Sequence, residues 1–267
     1  MKKVLYGQNF LIDKNIAAKI TNIFLAGNYD TAVEIGPGKG ILTENIVIQG
    51  KNILAVEIDR QLCCHLEKKF AKYPNIEIFC GDFLKWDPPT KKILGFIANI
   101  PYYITSPIIE KILEMGNWSI AVLMVQKEVA DRMNARLNTR EYGNLSIACQ
   151  SVCKVKKLFD VPPHCFYPKP KVYSSVVQIT PLSHPFIAFK QRKKLFSLIK
   201  AAFFHRRKTI LNSISISLNL QKQLVLELLR QANIEISLRP ESINIPEYVQ
   251  LLNIIDNSEH KNTLKNF

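Results

Sequence analysis

The segment from Thr31 to Asp59 limits the fold more than any other part of the chain. Thr31-Ala32-Val33-Glu34-Ile35 is a short apolar run of strand type, Gly36-Pro37-Gly38-Lys39-Gly40 is a glycine-rich turn, and Ile41 to Ile46 opens a helix. A second apolar run, Asn52 to Val56, then delivers Glu57-Ile58-Asp59. Strand, helix and strand in so short a space is a βαβ unit, which requires parallel strands. The glycines let the backbone approach a ligand closely, and the amino end of the helix offers free N–H groups. Glu57 follows Gly36 by 21 positions, the spacing at which a carboxylate meets ribose hydroxyls in dinucleotide-type units. Turn and acid together point to a nucleoside-containing cofactor.

The pattern repeats downstream. A helix from Arg60 to about Lys72 stops before Pro74, and a third strand, Asn75 to Cys80, ends in Gly81-Asp82-Phe83. Asp82 can accept from an adenine amino group while Phe83 and Ile58 pack on the ring. The fourth strand lies in Lys92-Ile93-Leu94-Gly95-Phe96-Ile97-Ala98-Asn99-Ile100-Pro101-Tyr102-Tyr103 and stops at Ile100, ahead of the proline. Asn99 and the carbonyl beside Pro101 can present two acceptors to one exocyclic amino group, and Tyr102 can lie flat on the attached base. Those are the needs of a base-modifying pocket, although Asn, Pro and Tyr also end strands without any such role. Alternating strands and helices place all these polar ends on one edge of a parallel sheet.

Upstream, Asp13 reads as the N-cap of a helix with Ile16, Ile20, Ile23 and Phe24 on one face, ending at Gly27-Asn28. Beyond Tyr103 the sequence predicts a helix from about Ser106 to Met115, a strand at Ile120 to Val125, a helical stretch near Glu128 to Ala135 and a polar loop at Asn138 to Asn144. A proline-rich stiff loop, Val161 to Val172, leads into a strand at Tyr173 to Ile179. Phe166 on that loop is either a second aromatic wall of the pocket or a core residue. A boundary falls between residues 183 and 184, giving an α/β domain over 1–183 and a small helical domain over 184–267, with helices in the basic stretch, at Leu220 to Ala232 and at Ile245 to Ile255. The tail from Asn257 reads as loose.

The chain carries 36 Lys and Arg against 22 Asp and Glu, a net charge of +14. Such an excess implies a polyanionic partner, nucleic acid or an acidic membrane surface. From Lys190 to Lys208 there are eight basic residues and no acidic one, interleaved with Leu195, Phe196, Leu198, Ile199, Phe203 and Phe204, so this is a helix with a buried stripe and a basic face. Six cysteines follow no framework and two are adjacent, which argues for free thiols in a reducing cytoplasm and against a metal site. No apolar run is long enough to span a bilayer, and the start at Met1 lacks a leader pattern, so the chain is expected to stay in the cytoplasm.

In order and spacing, the segments Gly7-Gln8-Asn9-Phe10-Leu11, Glu34 to Gly40, Glu57-Ile58-Asp59, Gly81-Asp82, Asn99-Ile100-Pro101-Tyr102, Phe166 to Val172, Phe204-His205-Arg206-Arg207-Lys208-Thr209 and Arg239-Pro240-Glu241 resemble the KsgA-type small-subunit ribosomal RNA adenine dimethyltransferases. The resemblance implies an α/β, Rossmann-like class I S-adenosylmethionine-dependent methyltransferase core with a small C-terminal α-helical domain. It implies S-adenosyl-L-methionine as cofactor and 16S rRNA within the small ribosomal subunit as partner, with no membrane and a monomeric enzyme. Asn9 and Leu11 would close over the methionine part of the cofactor, Gly36 and Gly38 would pass beneath it, Glu57 would hold the ribose and Asp82 the adenine. Asn99 would sit between cofactor and substrate. The catalytic set is then Asn99, Pro101, Tyr102 and Phe166, with the Asn99 side-chain oxygen and the Pro101 backbone carbonyl as the two acceptors of the N6 hydrogens, and the RNA-binding set Arg206, Arg207 and Lys208. Tyr103 departs from the pattern, since many relatives carry Asn after the tetrad. The large-subunit resistance-type adenine methyltransferases share the turn, the tetrad and the proline-rich loop, but the Phe204 and Arg239 segments favour the small-subunit family. An assembly factor with secondary methyl transfer is a further alternative. A nicotinamide dehydrogenase would leave the tetrad without a role.

Overall fold

Asp13 starts the first helix by accepting the N–H groups of Asn15 and Ile16 at 2.9 and 3.0 Å, which satisfies two donors that a helix start leaves open. In the computed structural model, which describes residues 9–88 and 91–258, this helix, α1 (Lys14–Leu25), follows a two-residue strand, β1 (Phe10–Leu11). It buries Ala17, Ile20, Thr21 and Phe24, and it ends slightly before the expected Gly27-Asn28, with Ala26 as its C-cap. Gly7, Gln8 and most of the polar tail lie outside the described residues.

The alternation expected from the sequence follows as β2 (Thr31–Ile35), α2 (Ile41–Ile48), β3 (Ile53–Glu57), α3 (Arg60–Phe70), β4 (Ile76–Cys80), β5 (Leu94–Asn99), α4 (Thr105–Glu114) and β6 (Trp118–Gln126). The chain continues through α5 (Lys127–Met133), α6 (Asn144–Gln150), β7 (Cys153–Val161), β8 (Phe166–Tyr167) and β9 (Ser174–Pro181). It closes with α7 (Arg192–Phe204), α8 (Ile210–Ser217), α9 (Lys222–Gln231) and α10 (Ile245–Asn257).

Seven strands form one sheet in the order β4-β3-β2-β5-β6-β9-β7. The pairs β3/β4, β2/β3, β2/β5 and β5/β6 are parallel, and β9 runs antiparallel to β6. All five residues of β2 are buried, as are five of the six in β5, because a parallel sheet in an α/β fold is covered on both faces. The strand order reverses at β2, which has β3 on one side and β5 on the other. In open α/β sheets that switch point is where ligands bind. Ile35 of β2 is the register partner of Ala98 of β5, so Gly36 and Asn99 emerge side by side from the carboxyl ends of the two strands.

The chain divides into two units, one of residues 1–130 and 155–181 and a second of 131–154 and 182–267. The sequence placed a single boundary at 183/184; the structure assigns residues 131–154 to the second unit as well, because the chain enters it twice. Its core is helical, with Leu195, Phe196, Leu198 and Ile199 of α7, Ile210 and Ile214 of α8, Leu228 and Leu229 of α9 and Tyr248, Leu251 and Leu252 of α10 all buried. Among the described residues no helix is long and apolar enough to cross a membrane.

Candidate active site

A cleft partly open to solvent is lined by Asn9, Phe10, Leu11, Glu34, Gly36, Gly38, Lys39, Leu42, Asn99, Ile100, Pro101 and Tyr102 among others. The glycine turn forms its floor. Gly36 and Gly38 have φ of +65° and +59°, the left-handed region that costs a side chain. At Gly38 a Cβ would also lie 3.0 Å from two atoms of the Phe10 ring, so the turn and β1 close on each other without room for one.

Glu57, 1% exposed at the end of β3, braces this turn. One carboxylate oxygen accepts the Gly38 N–H at 3.0 Å, and the other accepts Ile58 and Asp59 N–H at 2.9 and 3.0 Å. Burial pushes its carboxyl above the ordinary carboxylate range, against the pull of those three donors. A carboxylate has about four lone-pair directions, so one remains for a ligand hydroxyl. Glu34 lies deeper, also 1% exposed, and accepts the Thr43 hydroxyl at 2.6 Å. Burial, with the nearby Glu57 charge adding to it, raises its carboxyl to about 7. Of the two, Glu34 lines the cavity, whereas Glu57 meets it only through the Gly38 N–H, and Asp82 is not among the lining residues; a buried carboxylate at a cavity wall favours a ligand that brings positive charge.

Asn99 is fixed from the opposite wall. Its Nδ2 donates to the Asn9 carbonyl at 2.9 Å. A carbonyl can only accept, so this bond sets the orientation of the amide and leaves Oδ1 as a free acceptor. The next residue extends the pattern: Ile100 donates its N–H to Met124, while its carbonyl receives no hydrogen bond among the described residues. Pro101 behaves otherwise. Its carbonyl accepts Ile104 N–H at 3.2 Å and the Thr105 hydroxyl at 3.3 Å, closing the short 3-10 turn Tyr102–Ile104. The expectation of Pro101 as the second acceptor is therefore corrected to Ile100, because the proline oxygen already takes the Ile104 N–H and shares the Thr105 hydroxyl with the Tyr102 carbonyl.

Tyr102 lines the cavity, and its hydroxyl sits 3.1 Å from Ser174 Oγ. Phe166 does not share that position: it is 3% exposed and packs in the core cluster with Leu11 and Phe24. It pairs with Leu11 across the antiparallel β1/β8 ladder, so the structure gives it the role of backing Leu11, which does line the cavity, in place of an aromatic wall. Asp82 caps the 3-10 turn Phe83–Lys85 by accepting Leu84 N–H at 2.9 Å.

These positions fall along a chain whose relatives can be compared end to end. The family model of ribosomal RNA adenine dimethylases matches residues 1–257. The chain belongs to the ribosomal RNA adenine dimethylase family. The dimethylase is 43% identical over 256 residues to a ribosomal RNA small subunit methyltransferase A of Alkaliphilus oremlandii, covering 92% of this chain and 89% of that protein. It is 39% identical to the protein of the same name from Halothermothrix orenii, covering 93% and 86%. Among solved structures it resembles a dimethyladenosine transferase from Plasmodium falciparum, with a TM-score of 0.76 at 27% identity over 92% of this chain and 97% of that one. The 23S rRNA methyltransferase ErmE aligns with a TM-score of 0.65 at 25% identity over 93% and 100%. The fold is that of the class I methyltransferases, as the strand order also indicates.

In the second unit of the dimethylase, Arg207 and Lys208 are exposed beyond the end of α7, whereas Arg206 is half-buried with Nε 3.7 Å from Glu241 Oε2. Glu241 follows Pro240, whose carbonyl takes the hydroxyl of the fully buried Tyr248 at 2.9 Å. The Phe204 and Arg239 segments are thus tied together, Arg206 serving that tie. Sequence reasoning missed Glu34, Ile100 and Ser174. The signal for Glu34 was a charged residue inside a strand buried on both faces, and for Ile100 the extended conformation that a following proline imposes. Among the described residues no group of His, Cys, Asp and Glu is arranged to hold a metal ion.

Proposed function

We propose that this chain transfers methyl groups from S-adenosylmethionine to the N6 atoms of two adjacent adenines near the 3′ end of 16S rRNA, and that it acts as a cytoplasmic monomer on an assembling small subunit. The observation that carries this is the pair of unspent acceptors at the switch point, Asn99 Oδ1 and the Ile100 carbonyl, beside the ring of Tyr102. The small-subunit relatives, at 39 and 43% identity, support the 16S target over the 23S target of ErmE at 25%.

The residues at these strand ends suit the cofactor, Glu57 and Asp82 from outside the cavity lining. The remaining lone pair of Glu57 suits a ribose hydroxyl, Asp82 suits the adenine amino group, and Asn9, Leu11 and the Gly36–Gly40 turn suit the methionine end. The buried carboxylate of Glu34 favours a cation nearby. When bound, S-adenosylmethionine supplies an electrophilic methyl group on a positively charged sulfur.

The protein's part is to make an amino nitrogen nucleophilic. The N6 lone pair of adenine is delocalised into the ring. Asn99 Oδ1 and the Ile100 carbonyl, each accepting one N6 hydrogen, favour the tetrahedral geometry in which that lone pair is released, an electrostatic preorganisation that needs no strong base. Tyr102 stacks on the base, turned out of its RNA, a contact worth about 1–3 kcal/mol. After the first transfer the positively charged nitrogen loses one proton to solvent, so that one N6 hydrogen remains, and a single acceptor holds it for the second. Arg207 and Lys208 bind the RNA backbone, with Arg206 supporting the turn that carries them.

Labelled methyl transfer to under-methylated small subunits, large-subunit RNA and protein tests this, with the product nucleoside identified by mass. Dimethyladenosine in the small subunit alone is expected, and Asn99→Ala should abolish it while leaving cofactor affinity within a few-fold of the parent. Product in the large subunit would transfer the assignment to the resistance-type reaction. Cofactor binding with no transfer to any substrate would favour an assembly role.

A further inference from the structure

We infer that Ser174 is a positioning residue for methyl transfer, acting on the target base through the hydroxyl of Tyr102. This rests on the adenine-methylation reading above.

The Tyr102 ring is held at both ends. At its backbone, the turn Tyr102–Ile104 is closed by two bonds to the Pro101 carbonyl, from Ile104 N–H at 3.2 Å and Thr105 Oγ1 at 3.3 Å. At its far end, the hydroxyl meets Ser174 Oγ at 3.1 Å, across 72 residues of sequence. Ser174 is 1% exposed and is the first residue of β9, where its register partner is Gln126 of β6. Its Oγ is therefore placed by the sheet, on the strand that neighbours β6, itself the neighbour of the strand ending in Asn99.

A phenylalanine ring would offer a base the same stacking face, so stacking alone does not require the hydroxyl. What the hydroxyl adds is orientation. A tyrosine on a turn has two free side-chain torsions, and a bond to a strand residue removes the alternatives that would tilt the ring. Tilt matters because the two acceptors that receive N6 are fixed at the end of β5, the Asn99 side-chain oxygen by the bond of its amide to Asn9 and the Ile100 carbonyl by the backbone. A base displaced on its stacking platform misses them, and small misplacements in a near-attack geometry cost large factors in rate. The buried hydroxyl of Ser174 also needs a partner of its own, and among the described residues the partner recorded is Tyr102.

The test is a double-mutant cycle of Ser174→Ala, Tyr102→Phe and the pair, assayed for dimethyladenosine formation on under-methylated small subunits alongside cofactor affinity. Each single change is expected to lower kcat by about five- to tenfold, the scale of one neutral hydrogen bond, with cofactor affinity unchanged. The double variant should be no slower than the slower single, since both remove the same bond. A merely structural serine would lower thermal stability without moving kcat, and that result overturns the inference, as does multiplication of the two losses in the double variant. Should Ser174→Ala fail to fold, Tyr102→Phe leaves β9 intact, and parental kcat in that variant overturns the inference by itself. Dimethyladenosine formation by the parent protein is the control that separates this failure from failure of the functional reading.

Discussion

Glu34 shows how one residue can couple the site to solution conditions. It is the penultimate residue of a strand covered on both faces, is 1% exposed, and has its carboxyl raised from the ordinary 4.5 to about 7 chiefly by burial. The folded protein thus holds this proton more tightly than the unfolded chain does. The corresponding stability is fully present below about pH 4.5 and is lost as pH rises through about 7. Chemical denaturation of the ligand-free protein should show stability falling across that window by an amount on the order of 3 kcal/mol. Glu34→Gln keeps the shape and an acceptor for Thr43 but has no proton to lose, so its profile should be flatter there; an unchanged slope would assign the pH dependence to other groups. A cationic ligand next to Glu34 favours the charged carboxylate, so proton release on binding should be largest near pH 7.

At the scale of elements, the loop that carries Asp82 depends on α4, the helix whose first residue, Thr105, also closes the turn that carries Tyr102. Lys111 of α4 reaches across to donate to the Leu84 and Trp86 carbonyls at 2.8 and 2.5 Å, and its ammonium lies 5.5 Å from the centre of the Phe83 ring. Lys111→Met keeps the length and apolar stem of the side chain but releases both carbonyls. The expected cost is about 2 kcal/mol of stability, together with weaker cofactor binding and little change in kcat at saturation, measured by calorimetry and steady-state kinetics. Unaltered cofactor affinity would mean that the loop holds its shape without the clamp. Such cross-element ties were not legible in the sequence, because nothing local marks a lysine as one that turns inward. The alternating core was legible: β3, β5 and β6 carry continuous apolar runs, those of β2 and β4 are broken only by Glu34 and Glu77, and Asp13, Gly40 and Asp59 punctuate them as helix starts. The segments that escaped were α6, β7 and α8. Cys153–Val161 alternates lysines with apolar residues and is only partly buried, and Ile210–Ser217 contains three serines, which favour caps and turns over helix interiors. Within the site, Asn9, Leu11, Gly36, Gly38, Asn99, Pro101 and Tyr102 line one cavity, whereas the engagement of the Pro101 carbonyl and the burial of Phe166 were not legible, since which carbonyl a turn consumes and which face an aromatic ring takes are settled by tertiary packing.

For the whole molecule the governing quantity is the charge of +14. Its use depends on which cations are free to meet phosphate. Arg206, Arg207 and Lys208 are consecutive, yet only the last two are exposed, and Arg206 faces Glu241 at 3.7 Å with the two side chains 40 and 21% exposed. A guanidinium held by a carboxylate gives up part of that interaction before it can hold an RNA phosphate. The three should therefore behave as two classes. Replacing both Arg207 and Lys208 by Ala should weaken binding to small-subunit RNA at low salt and reduce the slope of log affinity against log salt by about 1.4 to 1.8, two phosphate contacts at roughly 0.7 to 0.9 each. Arg206→Ala should change the slope much less and lower the melting temperature more, because it strands Glu241 beside the Pro240 carbonyl that anchors Tyr248. Titrations of both variants at several salt concentrations, with thermal melts in parallel, separate the classes. A slope reduction of about 0.7 to 0.9 for Arg206→Ala would mean that Arg206 leaves Glu241 for the RNA, and no slope change in either variant would place the phosphate contacts on other basic residues of the chain.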